Sequence, residues 1–142
     1  MDLIIEELCA GDLKKGFLDA LASLADAAMT YEEALGVFQA RIRAGQRTFV
    51  AKIADRVVGT ATLLVERKFI HHGGLVGHIE DVAVHKDYQR RGIGTALVKY
   101  ITEESRKLGC YKVILNCFEN VAPFYMRLGY RRHDLGLRID FK

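Results

Sequence analysis

The sequence has a single proline, Pro123, no tryptophan, and three cysteines in 142 residues. Cys9, Cys110 and Cys117 are odd in number and form no C-x-x-C pair. That excludes a disulfide framework and reads as free thiols in a reducing, cytoplasmic setting. No apolar run reaches the length of about 18 residues that a membrane-spanning helix needs. The start, MDLIIEEL, has neither a basic region nor a long apolar core, so no secretory leader is predicted. No repeat, low-complexity tract or Pro/Gly-rich linker divides the chain. G-x-x-x-x-G-K-[ST] and G-x-G-x-x-G are both missing, which excludes a Walker loop and the common dinucleotide fingerprint. The five histidines form no H-E-x-x-H or His/Cys cluster, and no metal is expected.

What is present is an ordinary globular composition, 50% hydrophobic and 27% charged, with a net charge of +3. The length suits one domain over residues 1–142 with a core of its own. The mild positive balance permits a local anion site without calling for nucleic acid. Basic residues gather at one turn and lack the aromatic platform of a nucleic-acid binder.

Leu3–Leu8 reads as a strand. Leu13, Phe17, Leu21 and Leu24 form a helical stripe with Asp12 as its N-cap. Thr30 and Glu33 make a T-x-x-E capping box for a second helix that ends near Gly45. TFVAKIA and VVGTATLLVER read as a hairpin turning at Asp55-Arg56, and KFIHHGGLVG as a loop. HIEDVAV is apolar on both faces and reads as a central strand. Thr95–Leu108 is a predicted helix stopped by Gly109. YKVILNC is a strand buried on both sides, and Asn120–Leu128 a short helix with Pro123 in its first turn. YRRHDLGLRIDF supplies one or two closing strands. The order β-α-α-β-β-β-α-β-α-β predicts a mixed α/β domain. Its central sheet is mostly antiparallel, with about four helices and one strand–helix–strand crossover.

Two features of HIEDVAVHKDYQRRGIGTALVKYI point to chemistry. The first is the turn made by Gln89, Arg90, Arg91, Gly92, Ile93, Gly94 and Thr95 at a helix start. Helix N-termini carry unpartnered N–H groups and a partial positive charge. Glycines let an anion approach the backbone, and arginines add full charges. The pattern fits a phosphate or pyrophosphate, and equally a basic surface turn. The second feature is Glu80-Asp81 inside a strand. Burying an unpaired carboxylate costs several kcal/mol, so partners are expected. Strand alternation predicts that the two side chains point to opposite faces and hold different roles. Two structural ion pairs are the plainer alternative.

Q-x-x-G-x-G after a strand resembles the acetyl-CoA signature of the GNAT N-acetyltransferase superfamily, and FYMRLGY (Phe124–Tyr130) is similar to its second signature. ERKFIHHGGLVGHIEDVAV and KLGCYKVILNC resemble the corresponding segments of the glucosamine 6-phosphate N-acetyltransferases within it. The likeness covers Thr48–Tyr130 closely and the two N-terminal helices loosely. It implies the GNAT fold and direct acetyl transfer from acetyl-CoA to an amino-sugar phosphate in a ternary complex, for UDP-N-acetylglucosamine biosynthesis. Such a transfer needs no covalent nucleophile. In the resembling fold Val82, Ala83 and Val84 lend backbone groups to the pantetheine arm and steady the thioester oxygen. The turn from Gln89 to Thr95 holds the pyrophosphate, Asn120 reaches the cofactor, and Tyr125 protonates the departing sulfur. Glu80 and Asp81 line the amino-sugar site, one on the sugar and the other bracing the loop. Lys68, Phe69, Ile70 and His71 resemble the loop that folds over the sugar phosphate. LRIDFK resembles a strand that crosses to a partner subunit, which implies a homodimer in which Arg138 reaches the other subunit's sugar phosphate.

The chain also departs from the family pattern. An acid commonly precedes the cysteine of the L-x-C strand; here Asn116 precedes Cys117. That removes the usual contact to the substrate amine and leaves the general base open between solvent and Glu80 acting through water. The family's asparagine four residues before the tyrosine is replaced by Val121, with Asn120 one residue earlier. The N-terminal substrate threonine has Thr30 as its nearest counterpart. By residue type alone, Tyr125 is a core aromatic and His71-His72 a surface pair. Other readings are a GNAT enzyme for another small amine (another amino sugar, a polyamine or a peptide N-terminus) and a non-catalytic acyl-CoA-binding regulator. A polyamine favours a more acidic chain, and a regulator has no need of Tyr125.

Overall fold

Alternating apolar residues through the middle of the chain pair into a five-stranded sheet, described from a computed structural model over residues 2–142. Strands β1 (Leu3–Glu7), β2 (Arg47–Ile53), β3 (Arg56–Arg67), β4 (Leu75–Val84) and β5 (Cys110–Ile114) lie side by side in chain order. Neighbours are antiparallel from β1 to β4 and parallel between β4 and β5. Four helices cover the sheet: α1 (Phe17–Leu21), α2 (Tyr31–Arg43), α3 (Ile93–Lys107) and α4 (Ala122–Arg127). The mixed, mostly antiparallel sheet with about four helices expected from the sequence is the one observed.

The two faces have separate cores. Leu8, Val50 and Val57 pack with Leu13, Phe17, Ala20 and Ala34 under α1 and α2. Phe49, Ala61, Leu63 and Ile79 pack with Val98 and Ile101 of α3 and Tyr125 of α4. Gly59 permits the close approach of α3: a Cβ there would stand 3.0 Å from Leu97 Cδ1. The T-x-x-E box caps α2 as expected, with the Glu33 N–H donating to Thr30 Oγ1 at 3.1 Å. The β2–β3 turn falls at Ala54-Asp55, one residue earlier than expected, where both φ angles are positive (49° and 65°) as a type I′ hairpin requires.

Other expectations are corrected. The stripe from Asp12 is not one helix, and Asp12 does not cap it. Ala10–Lys14 is a 3-10 turn, Gly16 follows at φ 95°, and only then does α1 begin. The break holds because the Val57 N–H donates to the Lys15 carbonyl, and because Asp12 is drawn into the protein by Lys52. β5 is an edge strand with Tyr111 and Lys112 exposed, not a strand buried on both sides. The closing strands are not formed. Leu135, Leu137, Ile139 and Phe141 are each at least 78% exposed and join no ladder among the described residues.

Asp12 is fully buried and its Oδ1 lies 2.5 Å from Lys52 Nζ, which also reaches Glu6 Oε1 at 2.7 Å. Burial pushes the Asp12 carboxyl up, but the Cys9 backbone N–H and Lys52 outweigh it and hold its pKa below the ordinary value. For Lys52, burial lowers the pKa, and Asp12 with Glu6 more than reverses that. A depressed carboxylate contributes stability that is present above its unfolded pKa and lost as pH falls through the folded value. A raised lysine contributes below its unfolded pKa and loses it as pH rises through the folded value. The pair therefore contributes fully at neutral pH. Asp12→Ala is expected to cost about 3 kcal/mol in urea unfolding, the low end for a broken buried pair because Glu6 still meets Lys52. Adding Lys52→Met is expected to recover most of the loss; an equal loss in the double variant would assign the effect to packing.

Candidate active site

The site is set by an irregularity in β4. Its pairing with β3 runs from Arg67↔Leu75 to Thr62↔Glu80 and resumes at Thr60↔Ala83. Asp81 and Val82 therefore oppose the single residue Ala61, and Asp81 takes a positive φ of 50°. This is a β-bulge. Directly opposed residues share a face, so Glu80 stands on the side of Thr62, where Arg41 of α2 donates to Thr62 Oγ1 at 2.8 Å and Thr48 Oγ1 at 3.0 Å. Asp81 lines the cleft under α2 together with Arg41, Thr60 and Thr62. Both acids thus look to the same side. The expectation of opposite faces fails because the extra residue resets the alternation. Nor is either acid buried: Asp81 is exposed and Glu80 half-buried, and neither is in an ion pair among the described residues.

β4 and β5 separate just before the bulge. Their pairing ends at His78↔Ile114. Beyond it, Ile79–Val84 have no strand partner on that edge, and Leu115, Asn116 and Cys117 leave the sheet. The gap opens into a cleft of about 550 Å³ lined by His78, Glu80, Asn116, Cys117 and Tyr125. Two tyrosines reach it. The Tyr130 hydroxyl is engaged with Thr102 Oγ1 at 2.6 Å, whereas that of Tyr125 has no hydrogen-bond partner among the described residues. Burial pushes the Tyr125 phenol up to about 12, with smaller contributions from Cys117 and Tyr130. It stays protonated across the neutral range.

At its C-terminal end β4 runs into the basic turn. Gln89 Nε2 donates to the Val84 carbonyl at 3.1 Å and ties the turn to the strand. Arg90 has φ 63° and Gly92 φ 81°, and α3 starts at Ile93 without a side-chain cap. A Cβ at Gly92 would meet nothing within 4 Å, so the turn leading into α3 is open there. Arg90 and Arg91 are exposed and pair with no carboxylate among the described residues; Arg91 stacks 5.1 Å from the Tyr88 ring. These groups fit an anion of the size and charge of a pyrophosphate.

The other candidates lie apart. Lys68, Phe69, Ile70 and His71 sit beyond the N-terminal end of β4, which is about 17 Å along the strand from Glu80; only Lys68 reaches back, to Glu66, which contacts His78 in the cleft. Lys68 pairs with Glu66 at 3.0 Å, Phe69 is fully exposed, and His71, at φ 52°, packs on Tyr111. Thr30 caps α2. Asn120 is exposed in the turn Glu119–Val121 that precedes α4. Arg138, in the tail, pairs with Asp140 at 2.8 Å. Conversely, His78 and Arg41 line the clefts and were not singled out in the sequence. The signal for His78 is its spacing of two residues from Glu80 on a strand; Arg41 meets Thr48 and Thr62, seven and twenty-one residues further on, and gives no such signal.

Comparison with known proteins is consistent along the chain. The acetyltransferase (GNAT) family model matches residues 16–130. The chain is 39% identical over 143 residues to a glucosamine 6-phosphate N-acetyltransferase of Trypanosoma brucei brucei, covering 99% of this chain and 97% of that protein. It is 36% identical over 145 residues to glucosamine 6-phosphate N-acetyltransferase 1 of Oryza sativa subsp. japonica, covering 96% of this chain and 86% of that one. Among solved structures, a Trypanosoma brucei acetyltransferase superposes with a TM-score of 0.90 at 40% identity, covering 99% of this chain and 100% of that one. The glucosamine-6-phosphate N-acetyltransferase of Arabidopsis thaliana superposes with a TM-score of 0.93 at 27% identity, over 100% of both chains.

The bulge separates backbone from side chain at Asp81. Asp81→Gly is expected to leave the melting temperature equal or higher, because glycine adopts positive φ without strain. Asp81→Val is expected to destabilise by about 1–2 kcal/mol. Equal stability of the two variants in urea would show that the bulge dissolves into a regular strand.

Proposed function

The chain belongs to the GNAT acetyltransferase family, and we propose that it transfers acetyl from acetyl-CoA to the amine of D-glucosamine 6-phosphate. The product is N-acetyl-D-glucosamine 6-phosphate, a precursor of UDP-N-acetylglucosamine. The observation that carries the reading is the gap between β4 and β5, with a free, neutral tyrosine hydroxyl in it and a basic helix start at the end of the same strand. The relatives of that name, aligned over nearly the whole chain, support the acceptor.

In this reading Arg90, Arg91 and the first amides of α3 hold the pyrophosphate. The unpaired edge of Val82–Val84 takes the pantetheine arm and steadies the thioester oxygen. The amine attacks the carbonyl carbon in a ternary complex; the C–N bond forms and the C–S bond breaks. Tyr125 gives its proton to sulfur. Glu80 and Asp81, on one side of the sheet, receive the ammonium and sugar hydroxyls, with Asn116 and Cys117 across the opening. A second reading, an N-acetyltransferase for another small amine, draws on Asn116, which puts an amide in the cleft where an acid is usual.

Thiol release from acetyl-CoA tests the reading against glucosamine 6-phosphate, glucosamine, spermidine and short peptides. Selective turnover of glucosamine 6-phosphate is expected; turnover of another amine alone would replace the acceptor and keep the reaction. Tyr125→Phe is expected to lower kcat on the order of 10²-fold or more with acetyl-CoA affinity retained. A protein that binds acetyl-CoA but turns over none of the amines would be a regulator.

The unpaired tail supports a homodimer. Leu135, Leu137, Ile139 and Phe141 alternate with Gly136, Arg138, Asp140 and Lys142, which is the pattern of a strand with one apolar face. Leu135 and Leu137 stand at the chain's own cleft yet stay more than four-fifths exposed, so among the described residues that face is left uncovered. In a dimer that exchanges tails, Arg138 approaches the partner's acceptor site, and the partner's surface comes within reach of the Lys68–His71 loop. Removing residues 135–142 is expected to turn a dimer into a monomer in light scattering; an unchanged mass would sink the exchange.

A further inference from the structure

We propose that His78, held by Glu66, is the base that takes a proton from the acceptor's ammonium group; this rests on the acetyl-transfer reading above. His78 stands two residues before Glu80 on β4, ahead of the bulge, so both side chains share a face about 7 Å apart along the strand. It lines the same cleft as Glu80, Asn116 and Tyr125. Its Nε2 lies 3.0 Å from Glu66 Oε1, and the other oxygen of Glu66 lies 3.0 Å from Lys68 Nζ. Lys68, and after it His78, hold the Glu66 carboxyl below the ordinary range, so it stays ionised. An ionised carboxylate on Nε2 selects the tautomer with the proton there and leaves the lone pair on Nδ1. That nitrogen enters no hydrogen bond among the described residues.

A dedicated base is needed because the carboxylates cannot serve well. Glu80 and Asp81 bind an ammonium, and in doing so favour its charged, non-nucleophilic form. Asn116 carries no group that accepts a proton near neutrality. An imidazole takes the proton without adding a further negative charge to bind it. The protons balance as follows. Nδ1 of His78 takes one proton from the ammonium, directly or through one water. The freed lone pair forms the C–N bond, and the C–S bond breaks with its electron pair on sulfur. Tyr125 protonates that sulfur and regains a proton from the nitrogen as it becomes an amide. One proton leaves to solvent through His78.

Other ionisable groups face this imidazole. Glu66 comes from β3 and Glu80 from its own strand; Cys117 and Tyr125 lie across the cleft. On the tail side His133 pairs with Asp134 at 3.0 Å, Arg132 pairs with Glu119 at 2.7 Å, and Arg131 lies on the cleft wall. Because these groups share the cleft with His78, the test reads the effect of removing His78 itself.

The test is kcat/KM for glucosamine 6-phosphate between about pH 6 and 9 in wild type, His78→Gln and Glu66→Gln. His78→Gln is expected to lose about 10²-fold at the acid end. The deficit should shrink toward roughly pH 8, where an amine beside electron-withdrawing groups frees its own lone pair. Glu66→Gln is expected to lose less and to move the acid limb. Affinity for acetyl-CoA should be unchanged in both, which shows that the cleft is intact. A loss that is the same at every pH, or no loss, overturns the assignment. If wild type ignores glucosamine 6-phosphate but accepts another amine, the acceptor reading falls and the same comparison with that amine decides His78. If no amine is accepted, both fall.

Discussion

Glu80 and Asp81 look to one side of the sheet only because the backbone at Asp81 leaves the β region and two residues of β4 oppose one of β3. The same segment of β4 lies where the pairing with β5 has ended at His78↔Ile114. An all-regular β4 would send the acids to opposite sides, and a β5 that stayed paired would close the opening that Tyr125 enters. The sheet thus gives up hydrogen bonds in its middle, where they are costly to lose. β3 compensates by keeping its own ladder with β4 on both sides of the bulge, while α3 packs on Gly59 at close range and holds the layers together. The unpaired edge that remains is a row of backbone groups beside a cleft, suited to an extended, amide-bearing arm.

Much of the fold could be read from the sequence, for local reasons. The T-x-x-E box, the apolar runs of β2 and β3, and the glycine after α3 each act within a few residues. The failures are non-local. The stripe after Asp12 reads as a helix until Lys52, forty residues later, draws that carboxylate inside and the chain breaks at Gly16. YKVILNC looks fully buried, but no strand pairs with its outer edge among the described residues, and so β5 is exposed. The apolar alternation of the tail is real, yet it finds no partner among the described residues.

The candidate site divides in the same way. The turn from Gln89 to Thr95 was legible because anion binding at a helix start is a local property of glycines, arginines and free N–H groups. Tyr125 required the resemblance, since spacing alone makes it a core aromatic; in the structure it is that as well, packed with Ile79 and Ile101 while its hydroxyl reaches the cleft. Glu80 and Asp81 were recognised as a pair but wrongly oriented, because a bulge has no sequence signature beyond a residue tolerant of positive φ. The Glu66–His78 contact was not legible at all: it pairs residues twelve apart on adjacent strands.

Acid and base need opposite surroundings, and the cleft supplies both. A proton donor to sulfur must hold its proton until the thiolate forms. Burial does this for Tyr125 by disfavouring the phenolate, with no hydrogen bond to stabilise the charge. A proton acceptor must instead tolerate becoming a cation. His78 is partly exposed, and its Nε2 lies 3.0 Å from an ionised carboxylate that faces any positive charge formed on the ring. The two lie on opposite faces of β4: Tyr125 of α4 packs with Ile79, and His78, one residue earlier, points to the other face. A thioester lying in the gap between β4 and β5 has the donor on one side and, with His78 as base, the acceptor on the other. The strand whose splayed edge admits the arm is then also what keeps the two proton carriers from neutralising each other. That separation lets proton removal from nitrogen and proton delivery to sulfur proceed in one complex without a covalent intermediate.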